Sequence, residues 1–349
     1  MNNEYSKLKK VIVGVESQFN EKMFDIVFKL FFKENLKDLD FAEIYKEQYS
    51  PEIFKKRNEG LDNLANELKK QGIEVYRPDR EDIKHIQMPN YKTIIRSSSN
   101  VRDTAFIWDK TIYETPQIIK GRVFENTRVY KIFYNLFLNN EFNWVKVPQD
   151  FNIDNVDSFH MDNFKEFEKN FNSNKLSNYH MYFDAANLIK CDDYILYNAT
   201  NYNNYLGYLW LKRNIKSKIY LVSIVDNHID GCLVPIEKNT FLCNDAKLDK
   251  PIEFYLPDEI VNNSKFIKLP KNCKNEMVPD NDYPFLASRE GMSINVLSIG
   301  ERKIVVNKND DIVAELLFKN NFDVIEVDLP YCRAFGGGIH CSTLDLERI

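Results

Sequence analysis

The chain has 349 residues, 44% hydrophobic and 28% charged, which is too apolar for a disordered chain and enough for a large folded core. Its 47 Lys and Arg against 52 Asp and Glu give a formal charge of -5, so there is no basic footprint for nucleic acid or an anionic membrane. At roughly 150 residues per domain the length suggests two domains, although a single α/β barrel or propeller reaches the same size.

In chain order, the first apolar stretch, Val11 to Gly14, has the length of a strand and not of a signal peptide. The longest apolar cluster, Met23 to Phe32, is cut by Asp25 and Lys29 and falls short of the roughly 20 residues of a membrane span. A soluble, cytoplasmic protein is expected. Leu61, Leu64 and Leu68 recur at helical spacing, and Gly72 stops that helix before the strand IEVYRP. The segment Asp150 to Tyr179, rich in Asn, Asp and Ser, reads as a surface excursion. A strand DDYILYN, a helix NYLGYLWLKRN and a strand KIYLVSI follow, and KIVVN, DIVAELLFKNN and FDVIEVDLP repeat the pattern near the end. The spacing is uneven, so this is a weak internal repeat of α/β modules carrying insertions. Six cysteines, Cys191, Cys232, Cys243, Cys273, Cys332 and Cys341, form no CxxC pair and suggest neither a disulfide framework nor a zinc ribbon. No Walker A, GxGxxG or HExxH sequence is present.

Four stretches carry chemistry. In AFGGGIHCSTLDLERI, Gly336, Gly337 and Gly338 lead into His340 and Cys341, and such a loop can present a cysteine to a cleft. A plain glycine turn with a buried cysteine is an equal reading. In VSIVDNHIDGC, period-two alternation puts His228 and Asp230 on one side of an extended chain, although an isolated HxD is more often a solvated strand end. In MYFDAANLIK, Asp184 precedes two alanines, and in NVRDTAFIWDK, Asp103 opens an alternating strand, Thr104 to Trp108. Either Asp also suits a turn or cap.

Together, Arg102-Asp103, FDAA at Asp184, HID at His228 to Asp230 and GGGIHCST at Cys341 resemble the guanidine-modifying penteins, in particular the arginine:glycine amidinotransferase family. KKVIVGVE, GRVFENTRVYKIF, NYLGYLWLKRNI and SINVLSIGERKIVVN extend the resemblance from about Leu8 to the C-terminus. It implies an α/β fold, a single-domain five-bladed propeller of ββαβ modules spanning residues 1–349, in place of two domains. It also implies Cys341 as nucleophile, His228 as general acid, Asp184 as the carboxylate orienting it, and Asp103 and Asp230 as the grip on the substrate guanidinium, with Arg102 beside them. No metal or organic cofactor is implied, the partners are L-arginine and an amine acceptor, and a homodimer is the candidate assembly.

Departures from the family pattern bear on the substrates. FDAAN places Asn187 where relatives carry an acid, the loop before His228 is short, and HCST has Ser342 where relatives carry Trp. The nearest basic residue for the arginine carboxylate is Lys247, a point charge without the guanidinium fork, and Ala287-Ser288 stands where relatives have paired serines, making Ser288 a substrate-side candidate. The acceptor is glycine, another amino acid or a specialised-metabolite amine. Competing expectations are a deiminase-like hydrolase giving citrulline and ammonia, and a noncatalytic binding protein, which retention of all five site residues disfavours.

Overall fold

The structure is a computed structural model that describes residues 2–17, 50–80, 84–89, 91–150, 179–224, 228–270, 293–308 and 310–349. Its strands are β1 (Leu8–Val13), β2 (Glu74–Tyr76), β3 (His85–Gln87), β4 (Lys92–Ile94), β5 (Ala105–Trp108), β6 (Thr111–Glu114), β7 (Asn143–Lys146), β8 (Leu188–Cys191) and β9 (Tyr194–Asn198). They continue with β10 (Lys218–Val222), β11 (Leu233–Glu237), β12 (Thr240–Cys243), β13 (Lys265–Lys268), β14 (Leu297–Gly300), β15 (Lys303–Asn307), β16 (Asp323–Val327) and β17 (Thr343–Arg348). Helices are α1 (Pro51–Lys70), α2 (Tyr130–Leu138), α3 (Tyr202–Asn214), α4 (Asp258–Asn263), α5 (Asp311–Lys319) and the short α6 (Cys332–Phe335).

Among the described residues, five of the sheets are three-stranded and share one plan. Two antiparallel strands are followed by a helix, and a third strand returns parallel to the second. So β5-β6-α2-β7, β8-β9-α3-β10, β11-β12-α4-β13 and β14-β15-α5-β16 are copies of one ββαβ module. In the remaining module β1 pairs parallel with β2 and antiparallel with β17, the last strand of the chain. The hairpins turn tightly. Asp109, Lys110, Asp192, Asn239, Glu301 and Arg302 all have positive φ, the twist that two-residue hairpin turns require.

The central strands bury both faces, and period two divides each strand between two cores. Ile195 and Tyr197 of β9 face one hydrophobic cluster and Leu196 the next. Likewise Val11 and Val13 of β1 lie in one cluster and Ile12 in another. Each cluster joins two consecutive modules, the last of them joining the β14-β15-β16 module to β1 and α1, so the order of contacts closes on itself. This explains why VIVG, YILYN and KIVVN are apolar runs and not alternating ones.

The sequence expectations hold for the helix at Leu61 to Leu68, ended at Gly72 with φ +78°, and for the strand–helix–strand runs around α3 and α5. Two local expectations change. Thr104 to Trp108 is not an alternating strand, because Ala105 to Trp108 is buried throughout. His228 to Asp230 is not extended, because Ile229–Gly231 forms a 3-10 turn. Most of the excursion from Asp150 to Tyr179, the cluster from Met23 to Phe32, and Cys273 lie outside the described residues.

Candidate active site

Every predicted catalytic side chain sits just before the first strand of a module. Asp103 ends the 3-10 turn leading to β5, and Asp184 caps the turn Ala185–Asn187 leading to β8. His228 and Asp230 flank and occupy the turn before β11, and Cys341 lies two residues before β17. The turns that carry Asp103, Asp184 and Asp230 contact one another in sequence. The fold therefore gathers residues as far apart as Asp103 and Cys341 because each occupies the same place in its own module.

Cys341 is 2% exposed, so its thiol is buried at the end of the glycine loop. Its Sγ lies 3.4 Å from Asp230 Oδ2 and accepts from Asn295 Nδ2 at 3.1 Å, while its backbone N–H donates to Asn295 Oδ1 at 3.0 Å. Burial, together with the Asp230 and Asp103 charges, pushes the thiol well above its ordinary pKa. The loop needs its glycines. Gly336 has φ +64°, and a Cβ on Gly337 would stand 2.0 Å from Asn100 Oδ1. Arg57 of α1 braces the loop, donating to Gly337 O at 2.9 Å and to Ser342 Oγ at 3.0 Å. Ser342 is thus a bracing contact of the loop.

His228 Nε2 lies 2.8 Å from Asp184 Oδ2. Burial opposes its charge, but Asp103, Asp184 and Asp230 outweigh that and raise its pKa to about 10. His228 is therefore held in its protonated form at neutral pH. Asp230 is a carboxylate: against the cost of burial, hydrogen bonding to His340 and the nearby His228 and Arg102 lower its pKa to about 2. Asp103 is 2% exposed; its Oδ2 accepts from Arg122 Nη1 at 2.8 Å, and its Oδ1 accepts no hydrogen bond among the described residues.

Arg102 does not fit a substrate contact. Its Nε donates to His340 O at 2.8 Å and its Nη2 pairs with Asp345 of β17, so its guanidinium is engaged inside the protein. Ser288 and the Lys247 side chain lie outside the described residues. Asn187 donates to Asn198 O at 2.9 Å and ties its turn to β9.

Three residues of the site were given no role from sequence. Asn295 lies two residues before β14, the place in its module that Cys341 and Asp103 hold in theirs, so aligning the modules would have found it. Arg122 binds Asp103, and His340 Nδ1 lies 2.8 Å from Asp230 Oδ2. Among the described residues no cluster of three or more His, Cys, Asp or Glu is arranged to hold a metal, and no helix is long and apolar enough to cross a membrane.

No protein-family model matches the sequence. Curated proteins do, along nearly its whole length. Glycine amidinotransferase, mitochondrial, of Xenopus tropicalis is 26% identical over 99% of this chain and 82% of its own. Inosamine-phosphate amidinotransferase 1 of Streptomyces griseus is 26% identical over 100% of this chain and 96% of its own. The L-arginine:L-lysine amidinotransferase of Pseudomonas savastanoi pv. phaseolicola is 26% identical over 82% of this chain and 77% of its own. The chain is similar to amidinotransferases. Solved structures agree on the fold. The Streptomyces griseus inosamine-phosphate amidinotransferase superposes with a TM-score of 0.81 at 22% identity, covering 100% of this chain and 96% of that one. DDAH from Pseudomonas aeruginosa superposes at 0.57 and 13% identity over 97% of this chain and 99% of its own. These neighbours place the chain among pentein-fold α/β proteins, and the amidinotransferase relatives act as transferases on small molecules.

Proposed function

We propose that the protein moves the amidino group of L-arginine to an amine acceptor by a ping-pong route through an amidino-Cys341 intermediate, releasing ornithine. One observation carries the donor assignment. Asp103 Oδ1 is a buried carboxylate oxygen with no partner among the described residues, in the same charged site as Asp230 and the Cys341 sulfur. Such an atom is costly unless a strong donor meets it, and a planar cation supplies one.

In this reading Asp103 and Asp230 hold the guanidinium, and as this cation enters its positive charge drives the Cys341 thiol to release its proton to solvent, giving the thiolate that burial otherwise disfavours. The thiolate attacks the central carbon, the bond from that carbon to the ornithine nitrogen breaks, and His228 gives the departing amine its proton. Asp184 keeps His228 oriented and charged. The acceptor amine then attacks the Cys341 adduct, returns a proton to His228, and the carbon–sulfur bond breaks. No cofactor enters this scheme. Lys247 is assigned the arginine carboxylate and Ser288 a neighbouring contact on sequence grounds alone. The closed order of module contacts supports a single five-bladed propeller domain over residues 1–349, with a homodimer and a cytoplasmic location as further parts of the proposal. The word mitochondrial in the Xenopus tropicalis relative's name weighs against that location.

The test is intact-mass and product analysis after mixing the protein with L-arginine and no acceptor. An added mass of about 42 Da that disappears in Cys341→Ala, with ornithine released, is expected. Citrulline and ammonia without ornithine would instead assign the hydrolytic reaction, and neither adduct nor product would overturn arginine as donor.

A further inference from the structure

The two carboxylates assigned to the guanidinium are held in the same way. Asp103 accepts Arg122 Nη1 on Oδ2 at 2.8 Å, leaving Oδ1 unpartnered among the described residues. Asp230 likewise takes its contacts on Oδ2, from His340 Nδ1 at 2.8 Å, from Asn295 Nδ2 at 3.2 Å and toward Cys341 Sγ at 3.4 Å. Both pins are anchored from behind. Arg122 uses Nε on Glu125 Oε2 at 2.8 Å and Nη2 on Glu125 Oε1 at 3.3 Å, so its remaining edge is aimed at Asp103. His340 Nε2 lies 3.3 Å from Glu4 Oε2, near the start of the chain. All eight side chains are buried.

We propose that Arg122 and His340 are positioning residues that pin the Oδ2 atoms of Asp103 and Asp230, fixing the two carboxylates so that both Oδ1 atoms are turned to the donor guanidinium. This rests on the reading that Asp103 and Asp230 hold the guanidinium. Geometry supplies the first part of the reason. A carboxylate bound through one oxygen cannot rotate without breaking a buried ion pair, so the acceptor pattern is set before the planar cation arrives and less ordering is left to binding. Charge supplies the second. Asp103, Asp184 and Asp230 repel one another, and a cation behind a carboxylate keeps it ionised without occupying the face that meets substrate. Burial pushes the Asp103 pKa up, and Arg122 is its main counterweight. Without Arg122, Asp103 would drift toward the neutral acid, which pairs poorly with a guanidinium.

The experiment compares steady-state kinetics for L-arginine in Arg122→Gln/Glu125→Gln, Arg122→Lys, His340→Asn and Glu4→Gln. The double variant avoids leaving the Glu125 carboxylate buried and unpaired while it frees Asp103, and Glu4→Gln is an isosteric change that loosens the His340 pin if His340→Asn fails to fold. Expected are an L-arginine KM raised about tenfold in the double variant and in His340→Asn with kcat within about threefold, partial rescue in Arg122→Lys, and a smaller KM rise in Glu4→Gln. A merely structural role would lower Tm and leave KM per folded enzyme unchanged, and that result overturns the proposal. Asp103→Asn and Asp230→Asn separate the two levels. If neither alters donor KM, the guanidinium assignment itself falls; if both raise it and the pin variants do not, only the positioning role falls.

Discussion

Asn295 does three things with one amide. Its Oδ1 accepts the Cys341 backbone N–H, and its Nδ2 donates to both Asp230 Oδ2 and Cys341 Sγ. The fit is close on the other side too, since a Cβ on Gly338 would stand 2.7 Å from Asn295 Oδ1. Asn295→Ala leaves the buried Cys341 N–H without its acceptor, and urea unfolding should show a loss of about 1–3 kcal/mol. The same variant should slow formation of the Cys341 adduct, and unchanged stability together with an unchanged adduct rate would remove Asn295 from the site. Cys341, Asp184, Asp103 and the HID triplet were legible because rare residue types stand in short, recognisable strings. Asn295, Arg122 and His340 were not, since their meaning comes from partners farther along the chain, such as Cys341, 46 positions after Asn295. Arg102 shows the opposite error, a residue beside a site aspartate whose guanidinium turns to Asp345 and the His340 carbonyl.

Among the helices, α1 shows how an element can serve core and site together. Leu61, Leu64 and Leu68 are fully buried against β1, β14 and β16, while Arg57 one turn earlier holds the glycine loop before Cys341. Leu64→Ala should cost about 2–5 kcal/mol in urea unfolding, with the L-arginine KM of the folded fraction unchanged, because the cavity lies on the core face and not the loop face. A cost below about 1 kcal/mol would mean that α1 contributes little to this core. Helical spacing made α1 and α5 readable in the sequence. The 3-10 turns were not, because three-residue turns such as Val101–Asp103 carry no period, and the strand that follows is buried on both faces. α3 adds a different tie, its Asn203 and Asn204 donating to His180 O and Tyr182 O and so fixing the segment that enters Asp184.

At the scale of the whole molecule, β17 joins the C-terminal end of the chain to β1, and the strand that closes the order of modules is the one that follows Cys341. Folding to completion therefore brings together Cys341 and acids from three other modules, and that gathering has a pH signature. His228 has a folded pKa of about 10, set by Asp103, Asp184 and Asp230 against the opposing cost of burial, whereas an unfolded histidine titrates near about 6.5. A raised folded pKa means that protonated His228 contributes stability in full below about pH 6.5 and loses it as pH rises through about 10. Asp230 acts in the other direction: with a folded pKa of about 2, its contribution is present above about pH 4 and lost as pH falls toward 2. The stability gap between the wild-type chain and His228→Gln, followed by urea unfolding at a series of pH values, should therefore be widest near pH 6 and shrink steadily toward pH 10. A gap that stays constant across that range would mean that the three carboxylates do not act on His228 together, and the shared site at the module starts would lose its electrostatic basis.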